Sequence, residues 1–415
     1  MSNEFKNRVF GCAIIKSINS NYNADFSHQP RTLPDGTVYA TDKALKYSIR
    51  NYWDKVSNEK VFYFKSLNEK LQPRTLDERY LNFFEKFKTS ITSDKYCLFY
   101  FDGEKIEGII PDQPKPAQVK KIFKNLEDDN EYQEYKSEFE AIAKKDTQIV
   151  IIDSLEHIDD EEEYFFYVTK NGTISKVKGD KNIIENLCSM LIEAMGGGIN
   201  RKEHLKDLLE CIDVKIFGGT YAGKTNISIH GTCQITHGVN RYPENIIYSE
   251  QIMSPFRNPS EKNADSTMTT LGTQSKLKEG HYVHHLSVNP KNIEADAIRV
   301  HAKGLTIDDI SKLKEGLRKG VSYYDSSAKA GSENEVLFWV QLKEGSKIVL
   351  PSFVELVDIS LDRNIDFSKV TSILEKEHIK KEIEKIEVFY NQGLTELTNL
   401  PNSVQKYDLE GQKQG

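Results

Sequence analysis

The chain has 415 residues, five cysteines and a formal net charge of −7. That length calls for two or more modules, and five scattered cysteines without zinc-ligand spacing argue against a disulfide framework or a metal knuckle. No apolar run approaches a membrane span and the N-terminus lacks a charged-then-apolar leader pattern, so a cytoplasmic protein with no membrane partner is expected. The negative total conceals an uneven distribution. Residues 125–163 carry fifteen Asp or Glu against three Lys, whereas residues 1–56 carry eight Lys or Arg against five Asp or Glu.

Arg8 to Lys16 reads as a buried strand rich in Val, Ile and Ala. A loop bearing Pro, Gly and Asn runs to Ala40, and Thr41 or Asp42 can then cap a helix. Beyond the cap, Lys43, Lys46 and Arg50 fall at i, i+3 and i+7 and share one stripe, beside an apolar stripe of Leu45, Ile49, Tyr52 and Trp53. A cationic ridge next to a core-facing stripe suits a polyanion. Residues 56–207 are poorly patterned. They suggest a helix over Leu76–Phe87, a hairpin over Tyr96–Ile110, strands at Ile149–Ile152 and Tyr164–Val168, and helices at Ile183–Met195 and His204–Cys211.

Strands are predicted at Val214–Phe217 and Ile227–Ile235, and residues 238–279 read as an extended, protruding loop or hairpin. A strand follows at Tyr282–Val288, a helix at Ile307–Leu317, and strands at Val336–Leu342 and Lys347–Leu350. Glu375–Lys385 reads as a charged helix, and the tail 402–415 as disordered. Removing 56–207 and 238–279 leaves strand, helix, strand, strand, helix, strand. That α+β pattern is the ferredoxin-like order, shared by RNA-recognition modules.

Four sets of residues bear on chemistry. Gly218-Gly219-Thr220-Tyr221-Ala222-Gly223-Lys224-Thr225 fits the phosphate-loop pattern. That mechanism needs a helix starting at Lys224, but Asn226 to Gly231 alternates like a strand, which favours a glycine-rich strand connection. His281, His284 and His285 share a strand. Only His281 and His285 face one side, so polar or half-buried strand histidines fit better than metal ligands. Asp42 suits a helix cap, and Asp25 and Asp35 suit loop solvation. Arg31 and Arg50 can grip phosphate bidentately and Lys46 as a point charge. In 238–279, Ile252, Met253, Pro255 and Phe256 form an apolar tip able to wedge between bases.

The order of motifs resembles the backbone subunit of type I-B CRISPR surveillance complexes. Gln29-Pro30-Arg31 stands where that family has an Arg-Pro-Arg-like turn, and Thr41, Asp42, Leu45, Lys46, Ile49 and Arg50 match its first helix. Asp213-Val214-Lys215-Ile216-Phe217-Gly218 resembles its Asp-Val-Arg-Leu-Phe-Gly strand, and Gly231-Thr232-Cys233-Gln234 its Gly-Pro-Val-Gln. Asn289-Pro290, then Thr306, Asp309 and Ile310, resemble its Ile-Asn-Pro and Leu-Thr-x-x-Asp-Ile region, and Ser327 to Gly331 its Arg-Ser-Lys-x-Gly turn without the arginine. The matches cover about half the chain. Tyr47 departs from the family's second basic residue, and Asn21 to Asp25 from its Asn-Gly-Asp-Pro turn.

The resemblance implies a palm (1–55, 208–237, 280–401), a finger-like insertion (56–207) and a thumb (238–279). It implies RNA contacts by Arg31, Lys46, Arg50, Gln234 and Lys329, with base displacement by the thumb tip; Lys224, a basic residue on a glycine loop, is a further expected RNA contact because such a loop can approach a phosphate closely. The expected role is a non-catalytic subunit without cofactor that stacks head to tail with its own copies along a CRISPR guide RNA. Target DNA would be reached through the guide, beside other subunits of the complex. Two alternatives stay open: a phosphate-handling enzyme, working through Lys224 or a palm aspartate, and a protein scaffold working through the acidic segment.

Overall fold

The computed structural model describes residues 4–67, 71–84, 147–150, 163–169, 174–179, 201–223, 226–257 and 269–414. The hairpin expected at Tyr96–Ile110, the helix expected at Ile183–Met195, most of the acidic segment and Lys224 lie outside them. Two compact units divide the chain. One comprises Met1–Phe64, Leu208–Gly219 and Ile229–Gly415, the other Lys65–Asp207 and Thr220–Ser228. Among the described residues, no helix is long and apolar enough to cross a membrane.

The first unit contains, in chain order, β1 (Val9–Ser20), β2 (Tyr39–Ala40), α1 (Asp42–Lys55), α2 (Ile212–Phe217), β3 (Cys233–Ile235), β4 (Gly238–Asn240) and β5 (Ile247–Arg257). These are followed by β6 (Thr269–Val288), α3 (Lys291–Val300), α4 (Ile307–Tyr323), β7 (Ser332–Leu342), β8 (Ile383–Tyr390) and β9 (Val404–Tyr407). The nine strands make one sheet along the path β9-β8-β7-β1-β6-β4-β2, with β3 and β5 also paired to β6. Only β8 and β9 run parallel; β1 is antiparallel to both its neighbours, with Ala13 opposite His284 on β6 and Leu337 on β7.

Alternation along β1 serves two cores. Val9, Ala13 and Ile15 join Leu45, Ile49 and Trp53 of α1 and Leu313, Leu317 and Val321 of α4. Phe10, Cys12 and Ile14 join Phe353, Ile365, Phe367, Val370 and Leu374 on the opposite face. A strand buried on both faces must be apolar throughout, which explains the unbroken Val-Phe-Gly-Cys-Ala-Ile-Ile run. The helices meet closely: a Cβ at Gly320 would lie 3.2 Å from the Ile49 Cα, and one at Gly316 would lie 2.7 Å from the Ile49 Cγ2. Thr306 and Asp309 begin α4 with a reciprocal capping box, which satisfies two free amides.

Several expectations are corrected. Val214–Phe217 belongs to the helix α2, with all six of its residues buried. The strand expected over Ile227–Ile235 is broken at Gly231-Thr232 into Asn226–His230 and β3. Gly231 sits where a Cβ would lie 2.2 Å from the Gly218 amide nitrogen. Lys347–Leu350 is irregular, and Glu375–Lys385 divides between the short helix Glu377–Lys380 and the start of β8. The tail, expected to be disordered, supplies β9, whose Tyr407 ring stacks 5.0 Å from Phe389.

In the second unit, Thr147–Val150, Glu163–Thr169 and Ile174–Gly179 form a three-stranded antiparallel sheet. The helix Leu76–Phe83 opens with a Thr75–Glu78 capping box and stops short of the expected Phe87.

The β6 histidines lie deeper than a half-buried strand would place them. His281 is fully buried, with Nδ1 2.6 Å from Glu335 and Nε2 3.3 Å from Glu279. The His284 Nδ1 donates to the Thr236 carbonyl at 3.0 Å, and the His285 Nδ1 accepts from the Phe353 amide at 3.2 Å. Burial pulls His284 and His285 down to about 4. Both fall below the unfolded value near 6.5, so their contribution is complete above pH ~6.5 and is lost as pH falls toward ~4. Stability is expected to drop by up to about 1.4 kcal/mol per pH unit for each histidine across that window. Denaturant melts at stepped pH measure the slope, and His285→Asn, which keeps an acceptor for the Phe353 amide, should remove about one proton's share.

Candidate nucleic-acid interface

The loop that follows β1 is folded by its own polar groups. Asp25 Oδ1 accepts from the Ser27 amide (2.8 Å), the Ser27 hydroxyl (2.8 Å) and the Gln29 amide (2.9 Å). The Ser27 hydroxyl and then the Gln29 amide hold this carboxyl below the usual range. The loop closes through the Ala24–Pro30 bridge. Asn21 Nδ2 donates to the carbonyl of His28, whose φ is +63°. Asn23 Oδ1 then accepts from both the amide and the hydroxyl of Thr41, 2.8 and 3.0 Å away. Thr41, the N-cap of α1, therefore spends its hydroxyl on the loop and caps none of its own helix amides; the first of them, that of Asp42, donates to His237 Nδ1 instead. Arg31 is held by Nε donation to the Ala24 carbonyl at 3.1 Å, and its guanidinium stands 6.0 Å from the centre of the Phe26 ring.

The predicted stripe on α1 is not a uniform cationic ridge. The Lys43 side chain is 84% exposed, whereas those of Lys46 and Arg50 are only 12% and 16% exposed. Lys46 Nζ lies 2.9 Å from Asp42 in an i,i+4 pair. Arg50 Nε donates to Asp213 Oδ2 at 3.0 Å. The fully buried Asp213 carboxylate also accepts from the amides of Phe62 (2.8 Å) and Tyr63 (2.9 Å). Both cations lie over the ring of Phe217, one turn along α2 from Asp213, at 5.7 and 5.3 Å. Phe217 in turn stacks 5.3 Å from Trp53. Burying a carboxylate is tolerable only when its oxygens are satisfied, and here three donors from two chain segments do so. The motif Asp213 to Phe217 thus anchors α1 as a short helix rather than as a strand.

Lys329 also points inward. Its Nζ donates to the Tyr22 carbonyl and lies 5.3 Å from the Tyr22 ring and 5.8 Å from that of Tyr324. Burial lowers its ammonium to about 8. Gln234 is exposed on β3, with its Nε2 donating to the Gly231 carbonyl at 3.0 Å. Ile252 and Met253 are exposed on β5, and Pro255 and Phe256 belong to the same strand. Lys224 lies outside the described residues, but the chain resumes at Asn226 as a strand paired with Gly218–Ala222. A phosphate loop needs helix amides at that point, so the glycines serve a strand connection.

The structure brings other groups to the same end of α1. His237 Nδ1 lies 3.3 Å from the Asp42 amide, and its ring is 5.6 Å from Tyr39. Tyr47, which departs from the family pattern, is packed between Phe64 and Tyr324, each 5.3 Å away. Sequence reasoning placed Lys43 in the cationic stripe but passed over Tyr39, Phe26 and the position of His237 at the helix end. For Phe26 a signal existed: a large aromatic inside a polar Asn/Asp/Ser turn has no local reason to be there. The half-buried Arg31, the exposed Lys43 (Nζ 3.7 Å from Asp42), an imidazole and aromatic rings thus lie together at the N-terminal end of α1. Such a surface can bind phosphate and stack on flat rings.

Comparison with known proteins places the chain in a family of CRISPR-associated proteins. The family is the one described as CRISPR-associated protein Cas7, which matches residues 7–388. No curated protein matches. Among solved structures, the chain is similar to one titled "CRISPR RNA-guided surveillance complex, pre-nicking". The identity is 13% and the TM-score 0.41, over 97% of this chain and 96% of that one. A second, titled "CRISPR RNA-guided surveillance complex", is 12% identical with a TM-score of 0.28, over 49% of this chain and 79% of the other.

The two kinds of α1 cation should separate cleanly on mutation. Arg50→Ala strips the buried Asp213 of its charge partner and is expected to cost about 3 kcal/mol. Lys43→Ala should stay within about 0.5 kcal/mol of the parent. Thermal unfolding of both variants reads the difference directly.

Proposed function

We propose that the chain is a non-catalytic, CRISPR RNA-binding backbone subunit of an RNA-guided surveillance complex of type I-B. The observation that carries this reading is the Cas7 family match over residues 7–388. The topology supports a ferredoxin-like palm: the order β7-β1-β6-β3, all antiparallel, with α1 and α4 on one face, is the arrangement a βαββαβ unit demands. The ribbon of β5 and β6 is the thumb of that scheme, and residues 56–207 its finger-like insertion.

This palm differs from an RNA-recognition module in one respect that bears on the path of the RNA. Such modules stack bases on an open sheet face. Here Phe10 and Phe338 are buried under Phe353 and Phe367, so that route is closed. The strand is instead held at the N-terminal end of α1. Arg31, Lys43, Gln234 and His237 contact it directly. Lys46, Arg50 and Lys329 fix the helix and loop that present those groups, and offer remaining donors at the edge of the track. Phosphate contacts of this type ignore sequence, as a subunit serving any guide requires. Further copies stack head to tail through a heterologous, non-closing contact, and target DNA pairs with the guide they expose.

The test is purification from cells with and without a co-expressed repeat-spacer array. A discrete small RNA is expected to copurify, and its absence overturns the reading. Arg31→Ala with Lys43→Ala should reduce the salt slope of RNA binding by about 0.7 per lost phosphate contact. An unchanged slope would remove these residues from the interface.

A further inference from the structure

Phe26 is 99% exposed, the most exposed large apolar side chain among the described residues. A fully exposed phenyl ring gains nothing from folding, yet its backbone is held firmly. The Asp25 turn, the Ala24–Pro30 bridge and the Asn21 bond to the His28 carbonyl fix the loop on both sides of it. A rigid support carrying an unburied ring is preorganised for a contact outside the chain.

The neighbours of the ring indicate what that contact is. The Arg31 guanidinium lies 6.0 Å from the ring centre, and Arg31 is anchored by its Nε to the Ala24 carbonyl. Two flat groups with another flat ring between them need a separation of about 7 Å, twice the contact distance of about 3.5 Å. A shift of about 1 Å would open a slot of that width. A planar, electron-rich ring carrying an anionic linkage satisfies both walls: it stacks on the phenyl face, and the guanidinium adds cation–π and phosphate contacts. A hydrophobic protein side chain would satisfy only the first wall and would leave the arginine desolvated.

We infer that Phe26 and Arg31 form a clamp that takes one unstacked base of single-stranded RNA per protein copy, so that the loop after β1 holds the strand by a base as well as by phosphate. This rests on the RNA-binding reading above and adds to it a base-stacking site outside the β5–β6 ribbon. The clamp is sequence-tolerant, because every base offers a π-face.

The experiment is a two-way comparison of full-length wild type and Phe26→Ala. Each is titrated with a fluorescently labelled single-stranded RNA of mixed sequence and with the same RNA made abasic along its central stretch. Thermal unfolding serves as the control, since the ring touches no core. The clamp predicts at least about fivefold weaker binding by Phe26→Ala on the intact RNA. It also predicts an unchanged salt slope, near-equal binding of the two proteins on the abasic RNA, and recovery by Phe26→Trp. Equal binding of both proteins to intact RNA overturns the clamp alone, leaving the phosphate-binding reading in place. A penalty that persists on abasic RNA also overturns it, assigning the ring to a neighbouring copy or to loop support. Wild type that binds neither RNA removes the RNA-binding reading and the clamp together.

Discussion

The central strand β1 has side chains of both alternations in a core. Ala13 and Ile15 pack with α1 and α4, while Cys12 and Ile14 pack with the layer built from residues 353–374. From Val9 to Ile15 no face of the strand is left for solvent, so the sheet around that stretch has no face open to a ligand. What can be functional is pushed to the strand's ends. At one of them the chain leaves Ser20, folds the Asp25 turn and returns through Pro30 and Arg31 to the N-terminus of α1. The position of the candidate interface is a consequence of closing the sheet on both sides.

The end of α1 is then fixed from below. Asp213 joins Arg50 to the amides of Phe62 and Tyr63. Lys215, two residues on, donates to Asp309 of α4 at 3.1–3.2 Å. The short helix α2 therefore ties both long helices together through buried charge. Such pairs contribute little net stability compared with apolar packing but penalise any other arrangement, which suits a surface whose groups must keep fixed spacing. Lys46 and Arg50 are better understood as supports of that surface than as its outermost contacts.

Elements with strong local patterns were readable from the sequence. The apolar run of β1, the stripe of α1 and the Thr306–Asp309 box of α4 each declare themselves within a dozen residues. The errors arose where distant partners decide. Asp213 to Phe217 alternates like a strand, and short apolar runs do not separate the two states; its helical form is set by donors to Asp213 more than a hundred residues away and by Asp309, which accepts from Lys215. Val404–Tyr407 is polar and reads as tail, but its backbone pairs with β8 and its Tyr407 ring with Phe389. At the interface, Arg31 and the Lys43–Arg50 stripe were legible. The burial of Lys46 and Arg50 was not, because it depends on Asp213 and Phe217 closing over the helix.

The most direct test of where the nucleic acid lies is backbone hydrogen exchange on the intact chain, with and without an added CRISPR guide RNA. Protection is expected in peptides covering 21–32, 41–47 and 234–239, with no change in those covering 353–374, which already shield the far face of the sheet. Protection confined to 353–374, with none around the N-terminus of α1, would contradict the account.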